Sequence, residues 1–331
     1  MSIHDYLIGQ IDEQNIEGVK KAIQLGADLN DSSCHKNPIS EAAKKNNIEI
    51  LTLLKDAGGD VNLQYGPNKV FPLYQACSRG ANVGAKWLVD NGANVDLKTD
   101  DGATAMYVAA SKGNVDLIEF LRCNGDNSID LGVKNYGLDY TPIQIAARNG
   151  HLKVLQWFED QDINIQADSL VNPAARGNAT NVLEWLILRG IDVGGGSALG
   201  EAALSRSLDV VKLLFHHGAD VNGNHFNPLN ELLNRQCTSD YKIISLLLSL
   251  GGDLDLSNNL RRSFLMEHID EILESGSTRD EISGGLNILK TMNNLRNVPG
   301  VQEFMYGLAA RLLVRINDFV EVPLSKTATN S

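Results

Sequence analysis

Self-similarity constrains this 331-residue chain more than any other feature. Thr141–Gly150 reads Thr-Pro-Ile-Gln-Ile-Ala-Ala-Arg-Asn-Gly, and related phrases stand at Asn37–Ala43, Phe71–Cys77 and Thr104–Ala110. Degenerate copies follow at Leu170–Ala175, Ala198–Ala203 and Pro228–Leu233. A period near 33 residues implies stacked units, each of which buries its apolar face only against its neighbours.

A second marker runs in step with the first. Gly26-Ala27-Asp28-Leu29-Asn30 returns from Gly58, Gly92, Gly190, Gly218 and Gly251, with weaker copies from Gly125 and Asp162. The step from the small-residue pair to the marker is about 16 residues in every case: Ala42 to Gly58, Ala76 to Gly92, Ala109 to Gly125, Ala146 to Asp162, Ala174 to Gly190 and Ala202 to Gly218. Within Gly113–Gly125, Val115, Leu117, Ile118 and Leu121 fall on one helical stripe. The Thr or Asn before Pro is a helix start, and the marker glycine is a left-handed helix stop.

Together the two motifs resemble the ankyrin repeat, over roughly residues 5–255. The resemblance implies an all-α solenoid of antiparallel helix pairs joined by short hairpin fingers, followed here by a helical C-terminal extension. It also implies that a partner protein is bound through finger tips and a concave groove. About eight repeats are expected in a domain spanning 1–255, the first an N-terminal cap. His151 stands where the family carries a structural His. Ser40, Tyr74, Tyr107 and Gln144 replace the family's other His, so its usual bond between repeats is not expected there, and the two tyrosines are free to face the groove.

Because the helical part is constant, unequal marker spacing means unequal fingers. Those at Asp31–Asn37, Leu63–Phe71, Leu97–Ala103 and Leu131–Tyr140 are full or long. Ile163–Leu170 and Ile191–Ser197 are clipped, and Gly194-Gly195-Gly196 reads as a bare turn. Residues 256–331 leave the repeat. Helices are expected at Leu260–Leu273, Asp280–Asn294 and Val301–Val320, as a cap on the last repeat or as a small separate domain, with a frayed tail from Leu324.

The formal net charge of −12 argues against nucleic acid or an anionic membrane as partner. No run is long and apolar enough for a membrane span, and the first 20 residues do not read as a secretory signal. Cys34, Cys77, Cys123 and Cys237 show no short pairing and read as reduced, buried thiols, which points to a cytoplasmic setting. Cys34, beside His35, is the candidate for a reactive thiol. Cys237, Asp240 and His225 share one repeat, but nothing near them reads as an oxyanion hole. No metal-binding, phosphate-loop or nucleophile-elbow motif occurs, so no cofactor, metal site or catalytic residue is expected.

Carried over position by position from the resemblance, the expected protein-binding residues are Tyr65, Phe71, Lys98, Asp100, Asp101, Lys134, Tyr136, Asp139 and Tyr140 on the fingers. Arg79, Lys112 and Arg148 are expected on the groove face. With Lys45, Arg79 and Lys112 form a basic row that suits an acidic segment of a partner. The reading is a non-catalytic, monomeric interaction module or adaptor. The alternative is an effector-like bacterial protein, delivered into a host cell, with an enzymatic or modifying activity in 256–331. The acid–base groups available there are Glu267, His268, Asp270 and Glu271.

Overall fold

A computed structural model describes residues 2–125, 133–135, 138–163, 165–195, 197–222, 227–256, 258–293 and 300–321. The chain is all-α and divides into two compact units, Met1–Pro173 and Ala174–Ser331.

Unit 1 is a stack of antiparallel helix pairs. These are α1 (Ile3–Asp12) with α2 (Ile16–Gln24), α3 (Pro38–Lys44) with α4 (Ile48–Asp56), and α5 (Pro72–Ser78) with α6 (Asn82–Asp90). Then follow α7 (Ala105–Ser111) with α8 (Val115–Cys123), a hairpin of β1 (Val133–Asn135) and β2 (Leu138–Tyr140), and α9 (Pro142–Arg148) with α10 (Leu152–Asp160). First helices pack in one row, α1–α3–α5–α7–α9, and second helices in another, α2–α4–α6–α8–α10. The helix starts are those the motif requires. Asn37, Thr104 and Thr141 accept hydrogen bonds from the amides of Ser40, Tyr107 and Gln144 at 2.9, 3.1 and 3.2 Å. Gln144 returns the bond to Thr141, closing a capping box at 3.0 Å.

The paired small residues do what their size allows. Ala42, Ala43, Ala76, Cys77, Ala109, Ala110, Ala146 and Ala147 are fully buried between rows. The second helices supply the bulk of the core, for example Ile50, Leu51 and Leu54 or Leu117, Ile118 and Leu121. Val115 of the expected stripe is only half-buried. Gly84 marks a close backbone approach between repeats, since a Cβ there would sit 2.2 Å from the Ala43 carbonyl oxygen. At the end of α10 the marker glycine is replaced by Asp162, which still takes φ +55°, a conformation that Asp tolerates better than most residues.

Among the described residues, the marker asparagines bond one repeat to the next. Asn30 donates to the Gly58 carbonyl at 2.9 Å and accepts from the Asp60 amide at 2.8 Å. Asn62 repeats this with Gly92 and Asn94 at 2.9 and 2.7 Å. His151 bonds the Ser111 carbonyl at 2.9 Å, the structural role its position implied.

Unit 2 continues helix pairing with α11 (Val171–Arg176, which begins at the unit boundary), α12 (Thr180–Leu188), α13 (Ala198–Leu204), α14 (Leu208–His216), α15 (Pro228–Arg235) and α16 (Tyr241–Ser249). Of the clipped turn, Gly194 and Gly195 are described and Gly196 lies outside the described residues. Gly194 donates to the Asp192 carboxylate at 2.8 Å, and a Cβ on it would lie 3.1 Å from the His217 carbonyl oxygen. Three longer helices follow, α17 (Asn259–Glu274), α18 (Thr278–Met292) and α19 (Val301–Glu321). Among the described residues no helix is long and apolar enough to cross a membrane.

Candidate functional site

The exposed faces of α5, α7 and α9 lie side by side in unit 1 and enclose a cavity of about 440 Å³. Its lining follows from helical spacing. Tyr74 and Ser78 on α5, and Tyr107 and Ser111 on α7, stand four residues apart and so share a face. On α9 the equivalent of the tyrosine is Gln144, which is used in the capping box. The third aromatic wall comes instead from Tyr140 at the end of β2. Val108 and Ile145 add apolar surface, and Lys112, Arg148 and Asn149 complete the lining.

The polar groups are held in place. Asn149 donates to the Ser111 carbonyl and hydroxyl at 2.8 and 3.1 Å. The Arg148 guanidinium lies 5.9 Å from the Tyr140 ring centroid, at cation–π distance. Its Nε is buried and has no hydrogen-bond partner among the described residues. Burial first, then the charge of Asp101, push the Tyr74 phenol above its ordinary pKa, so it is a neutral donor near pH 7. Arg79 and Lys112 are exposed and flank an adjoining cleft of about 600 Å³ shared with Asp116 and Lys153.

Of the expected binding residues, Lys112, Tyr140 and Arg148 meet in the cavity and Arg79 stands beside it. Lys98, Asp100 and Asp101 are exposed on their finger, where Asp100 pairs with Lys69 at 3.0 Å. Two assignments need correction. Tyr65 is 1% and Phe71 0% exposed, so neither is a finger-tip contact. A bridge between Tyr65 and Val70 fixes the short loop, and Gly66 donates to the Ser32 carbonyl at 3.0 Å. That pairing turns the Tyr65 phenol inward, where burial pushes its pKa up to about 12. Phe71 precedes Pro72 at the start of α5 and packs its ring 5.8 Å from Tyr74. For Lys134 and Asp139 the backbones pair across the β1–β2 ladder. Their side chains, and Tyr136 entirely, lie outside the described residues, as does most of the long finger from Asp126.

The basic row is interrupted at its first member. Lys45 pairs with Asp12 at 3.5 Å, and neighbouring Lys44 with Glu41 at 2.7 Å. The serines and apolar floor residues gave no sequence signal beyond their distance from the Ala-Ala pair.

The thiols offer less. Cys77 is buried, Cys34 and Cys237 are half-buried and Cys123 is exposed, so the expectation of four buried cysteines holds for one. Cys34 donates to Asp31 at 2.9 Å, and that bond raises the thiol pKa, the opposite of activation. Cys237 is lowered by the Ser239 hydroxyl 2.9 Å away, but Asp240 is bound by Arg206 and His225 lies outside the described residues.

Comparison with known proteins bears on this surface. A family model described as "Ankyrin repeats (3 copies)" matches residues 10–99, 39–135, 73–169 and 143–225. The ankyrin repeat and KH domain-containing protein mask-1 of Caenorhabditis elegans is 34% identical over 115 residues, 35% of this chain and 4% of its own length. The E3 ubiquitin-protein ligase KEG of Arabidopsis thaliana is 27% identical over 127 residues, 36% of this chain and 8% of its own. The chain thus matches only a small part of either relative. The crystal structure of the human ASB11 ankyrin repeat domain is 27% identical, covering 56% of this chain and 86% of that one with a TM-score of 0.47.

Proposed function

Because the chain belongs to the ankyrin-repeat family, whose members are generally protein–protein interaction modules, we propose that it is a non-catalytic adaptor that holds a segment of a partner protein against α5, α7 and α9 of unit 1. The observation that carries the reading is the aromatic cavity. Tyr74 and Tyr140 are half-buried and offer aromatic contact area at low entropy cost, with the buried Tyr107 ring behind them, beside cations with no ion-pair partner among the described residues. Residues 256–331 act in this reading as a helical cap on the array. α17 packs on α15 and α16, and α18 packs on α16 and carries α19. The acid–base groups considered for a C-terminal activity support the cap. Asp270 pairs with Arg311, and the His268 ring packs at a tilt with its centroid 4.8 Å from that of Phe264 and 5.8 Å from that of Tyr241.

Cross-linking of the intact chain to its partner, read by mass spectrometry, tests the proposal. Cross-links should cluster at Arg79, Lys98, Lys112 and Lys153, and Tyr140→Ala should weaken partner binding while moving the melting temperature by no more than about 3 °C. Cross-links confined to unit 2, or equal losses of binding and stability, would defeat it.

A further inference from the structure

We propose that the cavity between α5, α7 and α9 is a socket for the carboxylate of an aspartate or glutamate on an extended segment of the partner; this rests on the binding reading above and supplies its chemistry. The first observation is electrostatic. The chain carries a formal charge of −12, yet the ten described residues that line the cavity include Lys112 and Arg148 and no carboxylate. Two acids among the described residues stand outside the lining. Asp101 acts on Tyr74, and Asp116 lines the adjoining cleft.

The second is an unfilled hydrogen-bonding capacity. The Nε–H of Arg148 is out of water and has no acceptor among the described residues. A buried donor without a partner is costly, and a charged one more so, unless an acceptor arrives. A carboxylate suits the planar guanidinium fork, which lies 5.9 Å from the Tyr140 ring centroid. Val108, Ile145 and the tyrosine rings give the methylene stem of an acidic side chain an apolar wall.

The third is the distribution of free cations. Where the small-residue pair ends in other repeats, the cation is already matched: Lys44 to Glu41, Lys45 to Asp12, Arg176 to Glu201 and Arg235 to Glu231. Only in the three consecutive repeats that build the cavity are Arg79, Lys112 and Arg148 without an ion-pair partner among the described residues. Unmatched cations in and beside one cavity are what a site for an acidic ligand requires.

Phage-displayed random heptapeptides selected on the intact chain supply the probes. Enriched sequences are then synthesised and measured by fluorescence anisotropy against wild type, Arg148→Gln, Arg148→Lys, Lys112→Gln and Tyr140→Ala. The expected peptides carry Asp or Glu at one fixed register. Changing that acid to its amide, and Arg148→Gln, should each weaken binding at least about tenfold, with the double change little worse than either alone. Arg148→Lys should fall between, because it keeps the charge and loses the fork. Lys112→Gln at the exposed rim should cost about two- to threefold, less as salt is added. Unchanged melting temperatures show that each variant folds. Peptides that need Tyr140 but carry no acid, or acidic ones indifferent to Arg148→Gln, overturn the carboxylate socket while the binding face stands. No enrichment, or peptides indifferent to Tyr140→Ala, removes the binding reading and the socket with it.

Discussion

In unit 2 the arginines near the ends of the first helices are matched by carboxylates. Arg176 meets Glu201 at 2.6 Å, Arg235 faces Glu231 at 3.8 Å, and Arg206 binds Asp240. In unit 1 the corresponding Arg79, Lys112 and Arg148 have no ion-pair partner among the described residues and border a cavity instead. Repeat geometry presents cations at these positions in both units. Whether such a cation serves stability or recognition depends on a carboxylate within reach, in the same helix for Arg235 and one repeat away for Arg176 and Arg206. The latter two pairs hold neighbouring repeats together, whereas an unpartnered arginine beside an aromatic wall is available to a ligand.

The largest test of that contrast is Arg206→Ala. Asp240 is 0% exposed, and its second carboxylate oxygen has no hydrogen-bond partner, so Arg206 is the charge that makes its burial tolerable. Removing the arginine should destabilise the protein by about 3 kcal/mol, at the low end for a broken buried pair because the Arg206 side chain is 48% exposed. Arg206 also sits at φ +60°, so Arg206→Gly should lose somewhat less by relaxing the backbone. Arg148→Gln leaves no carboxylate unpaired and should stay within about 0.5 kcal/mol of wild type in the same denaturant titration. Equal effects of Arg206→Ala and Arg148→Gln would erase the distinction between the two units.

How much of this was legible in the sequence depends on how far apart the cooperating residues lie. The helix pairs were readable because caps, small-residue pairs and marker glycines are local signals repeated many times. The C-terminal helices were readable from apolar spacing alone, with Leu260–Leu273 expected and Asn259–Glu274 found. Tyr65 and Phe71 misled because aromatic residues in a polar loop read as exposed, and their burial depends on a bridge to Val70 and a backbone bond to Ser32. The ion pairs were hidden for the same reason, since Arg206 and Asp240 lie a repeat apart and nothing local links them. Tyr140 stood out in the sequence as an aromatic at the end of a long finger, but its place in the cavity depends on Gln144 being used as a cap.

A middling effect is expected where unit 1 ties its repeats together. Asn62 bridges Gly92 and Asn94 through one donated and one accepted bond, both at the exposed edge. Asn62→Ala should cost about 1 kcal/mol of stability and leave peptide binding unchanged, because it touches no residue of the cavity. A loss of binding larger than the loss of stability would mean that the asparagine ladder positions α5 and α7 as well as joining them.

The smallest effect sharpens the comparison within unit 1 itself. Lys45 occupies the same repeat position as Arg79 and Lys112, so a reading based on sequence register alone gives all three the same task. Lys45 differs in having Asp12 at 3.5 Å, with both side chains about 40% exposed. A pair so exposed contributes little to folding, and Lys45→Gln should change stability by less than about 0.5 kcal/mol. It should also leave the affinity for acidic peptides where it was, because the charge it removes is already matched and the residue does not line the cavity. Lys112→Gln removes an unmatched charge at the cavity rim and should lower that affinity measurably at low salt. If anisotropy titrations show the two lysines to be equivalent, the field of the whole basic row attracts the ligand, and the local matching of each cation does not decide where it binds.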